Sequence, residues 1–368
     1  MKKTVILFLV LAIAASCATE PKFRIAGTID GIEEGMIVLQ KRIPGGYEVI
    51  DSAALNKGAF EMTGVIDYPQ MVNLAIKGKR GGLNFFIENS DITIHGHADS
   101  LYLASVAGSQ TQSEFDKYKA SFDGTNAEMA KLYDRFREAR MAGDETLAAA
   151  TEKEIDALDL TQRELKKEFI SNNPGSFVTP IVLNELSYEM EAGEIEAMLG
   201  KLDTSLNKVA LLVTMKERVV QLKSVSVGQK APDFTLNDVD GNPVSLYSKL
   251  GGSTKLLLVD FWAAWCPPCR QENPNIVRIW KEYNKKGFDV FGVSLDRNKE
   301  DWVKAISDDK LTWTHVSDLK YWDCAPAKLY AVNSIPASFL LDSEGVIVGH
   351  NLRNEALEAK VKELLNSK

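Results

Sequence analysis

The segment Lys255-Leu256-Leu257-Leu258-Val259-Asp260-Phe261-Trp262-Ala263-Ala264-Trp265-Cys266-Pro267-Pro268-Cys269 decides the fold of the C-terminal part of this chain. Its first half, Lys255 to Phe261, is a short apolar run of the kind that forms a strand buried on both faces. The run ends at a Cys-Pro-Pro-Cys turn that opens a helix. In that place Cys266 stands at the helix N-cap, where the positive end of the helix dipole favours a thiolate. Cys269 follows three positions later, in the first turn and more buried, within reach of a mixed disulfide formed on Cys266. Proline is cheap at a helix start because those N–H groups lack intrahelical partners anyway. Pro267 and Pro268 also delete two donors beside the sulfur, so a less acidic thiol and a less oxidising disulfide are expected.

The surroundings supply the rest of an α/β domain. Phe288 to Leu295 is a second buried-strand run, with helical sequence from Pro274 to Lys285 between the two. Helical spacing returns at Trp302 to Ile306. Ala337 to Leu341 and Val346 to Gly349 make a hairpin across Asp342-Ser343-Glu344-Gly345, and Glu355 to Leu365 closes as a helix. Parallel strands need crossover helices, which this order provides.

The segment Val259 to Cys269 resembles the active site of the thioredoxin superfamily. Its Pro-Pro pair, and Arg270-Gln271-Glu272-Asn273-Pro274 after it, resemble the anchored TlpA/ResA-type branch. Upstream, Gly228-Gln229-Lys230-Ala231-Pro232-Asp233-Phe234-Thr235-Leu236 is similar to a lead-in shared by that branch and by peroxiredoxins. Downstream, Asn333-Ser334-Ile335-Pro336-Ala337-Ser338-Phe339-Leu340-Leu341-Asp342 is similar to the family's cis-proline strand. The resemblance implies a thiol:disulfide oxidoreductase without a cofactor, with Cys266 as nucleophile and Cys269 as resolving thiol. It makes Pro336 a cis-proline facing the dithiol and gives Ile335 a backbone that pairs with an extended substrate segment. Trp265, Pro267 and Pro268 would border that segment. Glu272 matches an acidic residue that assists proton transfer in the ResA-type proteins. Asp260 matches the buried carboxylate of thioredoxin itself, a departure from the TlpA/ResA branch, which often carries a neutral residue there. Which of the two takes the proton from Cys269 stays open.

Outward toward the N-terminus, Met129, Leu132, Tyr133 and Phe136 lie at helical spacing. Ile155, Leu158, Leu165 and Phe169 continue the pattern, as do Ile195, Met198, Leu199 and Leu202. Before them, alternating segments at Phe23, Ile37, Val72, Leu83 and Ile92 are punctuated by turns at Pro44-Gly45-Gly46, Asn56-Lys57-Gly58, Lys77-Gly78 and Glu88-Asn89-Ser90. They read as a β-rich, antiparallel sandwich-like or barrel-like domain. The expected organisation is 1–17 signal and anchor, 22–110 β-rich domain, 111–222 α-helical connector and 226–368 thioredoxin-like domain. The β-rich part and its helices resemble a domain of unknown function that precedes such thioredoxins in bacterial lipoproteins.

Lys2, Lys3 and the apolar run Val5 to Ala15 form a secretory signal too short to span a bilayer. It ends at Ala14-Ala15-Ser16-Cys17, which resembles a lipobox even though Ala14 replaces the usual large aliphatic residue. Lipid on Cys17 and an extracytoplasmic location follow as expectations. The chain has 368 residues, 45% hydrophobic and 26% charged, with a formal net charge of -8 in short mixed clusters. Nucleic acid is an unsuitable partner for such a surface. The expected partners are exported disulfide-containing proteins, apocytochrome c among those the family suggests, a membrane thiol donor, and the membrane itself through Cys17. Only four cysteines exist, Cys17, Cys266, Cys269 and Cys324. A zinc site would need a second pair, so no metal is expected, and Cys324 reads as a small buried apolar residue. His95 and His97 share a strand face but lack a companion ligand. A peroxiredoxin-like antioxidant is an alternative, though the proline and threonine expected before a peroxidatic cysteine are absent. An envelope-binding lipoprotein with a secondary redox role is the other.

Overall fold

A computed structural model of the chain describes residues 22–43, 45–188 and 190–366. The expected signal segment 1–17 and the anchor Cys17 lie outside them. The described residues fall into two compact units, one running up to Leu165 together with Ser176–Val178, the other Lys166–Gly175 together with Thr179 onward. The stretch expected as a separate connector is thus shared between the units.

The first unit carries strands β1 (Phe23–Asp30), β2 (Glu34–Ile43), β3 (Gly46–Asn56), β4 (Ala59–Gly64), β5 (Gln70–Ile76), β6 (Leu83–Ile87), β7 (Asp91–His97) and β8 (Ser105–Ala107). They join in one eight-stranded sheet, in the order β6-β5-β2-β3-β4-β1-β7-β8. Alternate residues such as Phe23, Ile25, Ile37, Leu39, Leu74 and Ile94 gather in its core, as period-two side-chain direction requires. The expected antiparallel pattern fails at one place: β1 pairs parallel with β7, Ile25 opposite Ile92. Both of those residues belong to the core, so burial sets this register. The expected turn Asn56-Lys57-Gly58 falls between β3 and β4, but neither strand was marked out by apolar alternation, and β3 is exposed through most of its length. On β7, His95 Nδ1 lies 2.6 Å from Thr28 Oγ1, and His97 sits beside Asp99 at 4.0 Å.

Helices α1 (Gln110–Ala120), α2 (Asp123–Ala142) and α3 (Glu145–Asn172) follow. In α2 the expected apolar stripe buries Leu132 but leaves Tyr133 54% exposed; Ala139 is the second buried residue. Helices α4 (Thr179–Leu186), α5 (Ala192–Leu199) and α6 (Ala210–Ser224) belong to the second unit, where α6 packs on both α4 and α5. Neither α4 nor α6 was marked out by sequence spacing. Among the described residues no helix is long and apolar enough to cross a membrane.

The rest of the second unit is a thioredoxin-like α/β fold. Its elements are β9 (Thr235–Asp238), β10 (Pro243–Ser245), β11 (Leu256–Trp262), α7 (Pro267–Tyr283), β12 (Phe288–Ser294), α8 (Lys299–Asp308), β13 (Thr314–Ser317), α9 (Ala325–Leu329), β14 (Ala337–Asp342), β15 (Ile347–His350) and α10 (Asn354–Asn366). The sheet order is β10-β9-β13-β12-β11-β14-β15. β11 pairs parallel with β12 and antiparallel with β14. Every residue of β11 is buried, which is why it reads as a continuous apolar run. That interior strand delivers the chain, at its C-terminal end, to the Cys-Pro-Pro-Cys turn.

Candidate active site

Cys266 is the N-cap of α7, with extended backbone at φ −96° and ψ 101°, and Pro267 and Pro268 occupy the first helical positions. A disulfide joins it to Cys269, with 5.3 Å between the Cα atoms. The two prolines leave Cys269 as the first residue of the turn able to donate, and its N–H reaches Cys266 Sγ at 3.2 Å. Both cysteines are nearly covered, 3% and 1% exposed, so the expected difference in burial is slight. What surrounds them is open: Pro267, Pro268 and Trp265 are exposed.

The Ile335–Pro336 peptide is cis. Cys266 Sγ lies 3.7 Å from the Ile335 carbonyl oxygen, a van der Waals approach rather than a hydrogen bond, since a bridged sulfur carries no proton. Arg353, just before α10, donates to the Pro336 carbonyl through Nη2. The expected neighbours Cys266, Ile335 and Pro336 therefore converge, from positions seventy residues apart.

Trp265 is fixed by its indole N–H on the Leu295 carbonyl at 3.2 Å. Its ring lies 4.9 Å from Tyr321 and 6.1 Å from Trp322 between centroids. Arg297 stacks over Tyr321 at 4.2 Å. The turn itself is held by Asp296, whose carboxylate accepts from the Ala264 N–H at 3.1 Å and from Ser294 Oγ at 2.8 Å. Burial displaces the Asp296 carboxyl upward. Arg270 binds Asp309 through two guanidinium nitrogens, and Asn273 Nδ2 donates to the same carboxylate at 2.6 Å.

Both expected carboxylates are buried under the turn. Asp260 lies on β11 opposite Ser338 of β14. Burial, reinforced by repulsion from Glu272 and opposed by Arg353, lifts its carboxyl to about 7. Glu272 accepts from the Asn275 side chain at 2.8 Å and from the Asn354 backbone N–H at 3.0 Å. Among the described residues neither carboxylate hydrogen-bonds Cys269, so any proton passes between them through movement or water.

His315 stays neutral, burial pushing it down to about 3. It sits against Trp262 and Trp313, with ring centroids 5.5 and 5.7 Å away, and is part of the apolar packing. Cys324 is fully buried and burial pushes its thiol up to about 12, so it is not a thiolate at neutral pH. Sequence spacing gave no sign of Arg353, Asp296, Tyr321 or Asp309, because each reaches the site from a different loop.

This geometry defines a dithiol site on a thioredoxin-like fold. Residues 227–350 match the AhpC/TSA family, and residues 23–115 match a domain of unknown function, DUF4369. The chain is 36% identical over 125 residues to the thioredoxin-like protein YneN of Bacillus subtilis, covering 33% of this chain and 69% of that protein. It is 31% identical over 124 residues to the thiol-disulfide oxidoreductase ResA of Geobacillus thermodenitrificans, covering 34% and 68%. Another ResA, from Bacillus thuringiensis, is 26% identical over 151 residues, covering 39% and 79%. The chain belongs to the thioredoxin-like thiol-disulfide oxidoreductases.

Proposed function

We propose that the protein is an extracytoplasmic reductant of disulfides in exported proteins, held at a bacterial membrane by lipid on Cys17. The observation that carries this reading is the Cys266–Cys269 bridge beside the Ile335–Pro336 cis peptide. A sulfur that can be opened stands next to a backbone edge that can hold a peptide.

In the reduced protein the Cys266 thiolate attacks one sulfur of a substrate disulfide. A Cys266–substrate bond forms, the substrate S–S bond breaks, and the second substrate sulfur leaves as thiolate. Cys269 then loses its proton to a nearby carboxylate, Asp260 or Glu272, and attacks Cys266 Sγ. The mixed disulfide breaks and the protein is left with the intramolecular bridge. The substrate has gained two electrons and the dithiol has lost them; a membrane thiol donor returns them. Apocytochrome c is a suitable substrate because its cysteines must be reduced before haem attaches. Trp265, Pro267 and Pro268 form the exposed border over which such a segment lies.

The deciding measurement is covalent trapping together with a potential. Cys269→Ser should accumulate mixed disulfides through Cys266 with exported proteins, and Cys266→Ser should accumulate none. The couple should poise near thioredoxin, about −270 mV. A value near that of DsbA, about −120 mV, would overturn the reductant reading and make the protein a disulfide donor.

A further inference from the structure

Helix α6 forms one wall of an open cleft in the second unit, and the segment from Trp322 to Asn333 forms the other; the cleft encloses about 1080 Å³. A narrower recess of about 170 Å³ continues from it beneath Ser334, Ala337 and Asn351. Tyr188, Arg218 and Asn333 line both spaces, so Arg218 stands where they join. Two lining residues lead from the cleft toward the dithiol site. Trp322 is a ring neighbour of Trp265, the residue before Cys266. Asn333 and Ser334 lead directly into Ile335, whose carbonyl lies against Cys266 Sγ.

Among the described arginines of this unit, Arg218 alone has a buried guanidinium nitrogen without an acceptor. Arg270 and Arg278 each hold a carboxylate, those of Asp309 and Glu358. Arg218 has no carboxylate partner among the described residues. Its Nη1 donates to Ser187 Oγ at 2.9 Å and its guanidinium stacks on Tyr188 at 4.9 Å. Its Nε is buried with no acceptor. Burial disfavours its charge. A partly desolvated guanidinium without a carboxylate partner gains from meeting an anion, since part of its desolvation has already been incurred. The other charged groups on these walls are engaged elsewhere or differently placed: Lys328 pairs with Asp323, Glu191 acts on His350, and Glu217 faces the wider cleft.

We infer that Arg218 is a carboxylate-binding subsite, receiving an acidic side chain of the polypeptide whose disulfide is exchanged at Cys266. The inference rests on the dithiol reading above and adds a substrate class to it. An extended segment advances about 3.3 Å per residue. Asn333, two positions before Ile335, lines the same spaces as Arg218, so a substrate strand lying along Ile335 and running past Asn333 enters the cleft that Arg218 borders. The same guanidinium disfavours a lysine there.

The test uses the purified, reduced protein and disulfide-bonded peptides carrying one Glu, walked from four residues before to four after a cysteine, each with a Gln counterpart. Stopped-flow tryptophan fluorescence gives the second-order rate constant for each peptide. The wild type should favour Glu over Gln at one or two positions by about tenfold, the effect of a charge-assisted hydrogen bond. Arg218→Gln should abolish that preference, Arg218→Lys should retain part of it, and Arg218→Glu should favour the matching Lys peptide. Equal rates for Glu and Gln at every position, or a preference that survives in Arg218→Gln, overturns the subsite while exchange itself continues. Loss of exchange with all peptides in the wild type overturns the dithiol reading, and the subsite falls with it.

Discussion

The backbone N–H of Asn354 donates to Glu272 Oε1 at 3.0 Å, across 82 positions of sequence. This bond ties the start of the C-terminal helix to the first turns of α7, one helical turn beyond Cys269. Asn275 Nδ2 donates to the same oxygen, so Glu272 is held in place rather than free to swing. Arg353, the residue before Asn354, holds the Pro336 carbonyl. One short segment therefore positions both a buried carboxylate and the cis-proline edge.

Glu272 raises the Asp260 carboxyl by repulsion. Glu272→Gln keeps an oxygen for Asn354 and Asn275 but removes the charge. The Asp260 midpoint, about 7 in the wild type, should fall. A carbon-13 NMR titration of the Asp260 carboxyl in the oxidised protein reads this directly. An unchanged midpoint would show that the two carboxylates do not sense each other.

Arg353 acts on Asp260 with the opposite sign, stabilising its anion. Arg353→Gln should move the same NMR midpoint upward. It should also slow release of a trapped mixed disulfide at pH 7, because less Asp260 is ionised and able to accept the Cys269 proton. A midpoint that falls, or a release rate that is unchanged, would remove Arg353 from the proton path.

Asp260 has a stability consequence as well. Its folded value of about 7 stands above the ordinary 3.8. Between those two the native state binds more protons than the unfolded chain, so stability falls as pH rises through this window and levels off above about 7. Asp260→Asn removes the dependence. At pH 8 the variant should be the more stable by up to about 4 kcal/mol, and at pH 4 the two should be close. Urea unfolding of the oxidised proteins at both pH values measures it; a difference that does not change with pH would contradict the buried, elevated Asp260.

How much of this was legible in the sequence depends on how locally each feature is encoded. The strand–turn–helix from Leu256 to Tyr283 was readable because burial of a whole strand, two cysteines at one-turn spacing and prolines at a helix start are all local signals. The opposition of Cys266 and Ile335 followed from family resemblance, not from spacing. β9, β10 and β13 went unread because they are three or four residues long and mostly lack an apolar alternation. Helix α6 was missed for a related reason: it buries only Leu212, Met215 and Val219, and Val213 and Val220 remain exposed, so no single stripe stands out. The parallel β1–β7 pair is a tertiary choice, made by which residues the core accepts. Asp296 and Asp309 lie more than thirty residues from Ala264 and Arg270, which they hold, and Arg353 lies seventeen from Pro336; no periodicity reports such contacts.

The clamp between α7 and the end of α8 is the last relationship with a measurable consequence. Asp309 accepts from two nitrogens of Arg270 and from Asn273, and Arg270 also reaches the Ala264 carbonyl at 3.3 Å. Asp309 is 14% and Arg270 30% exposed in their side chains, so the pair is only partly screened by solvent. Asp309→Ala leaves Arg270 and the buried Asn273 without their acceptor. Removal of charge-assisted hydrogen bonds at such a site should cost about 1–3 kcal/mol of global stability, read as a lower urea midpoint at unchanged slope. Arg270 is the residue after Cys269, so the loss is local to the first turn of α7. Alkylation of Cys269 in the reduced variant should therefore speed up relative to wild type, while the buried Cys324 should keep its slow rate. Equal acceleration of both thiols would mean that the substitution loosens the whole domain and that the clamp has no special hold on the dithiol turn.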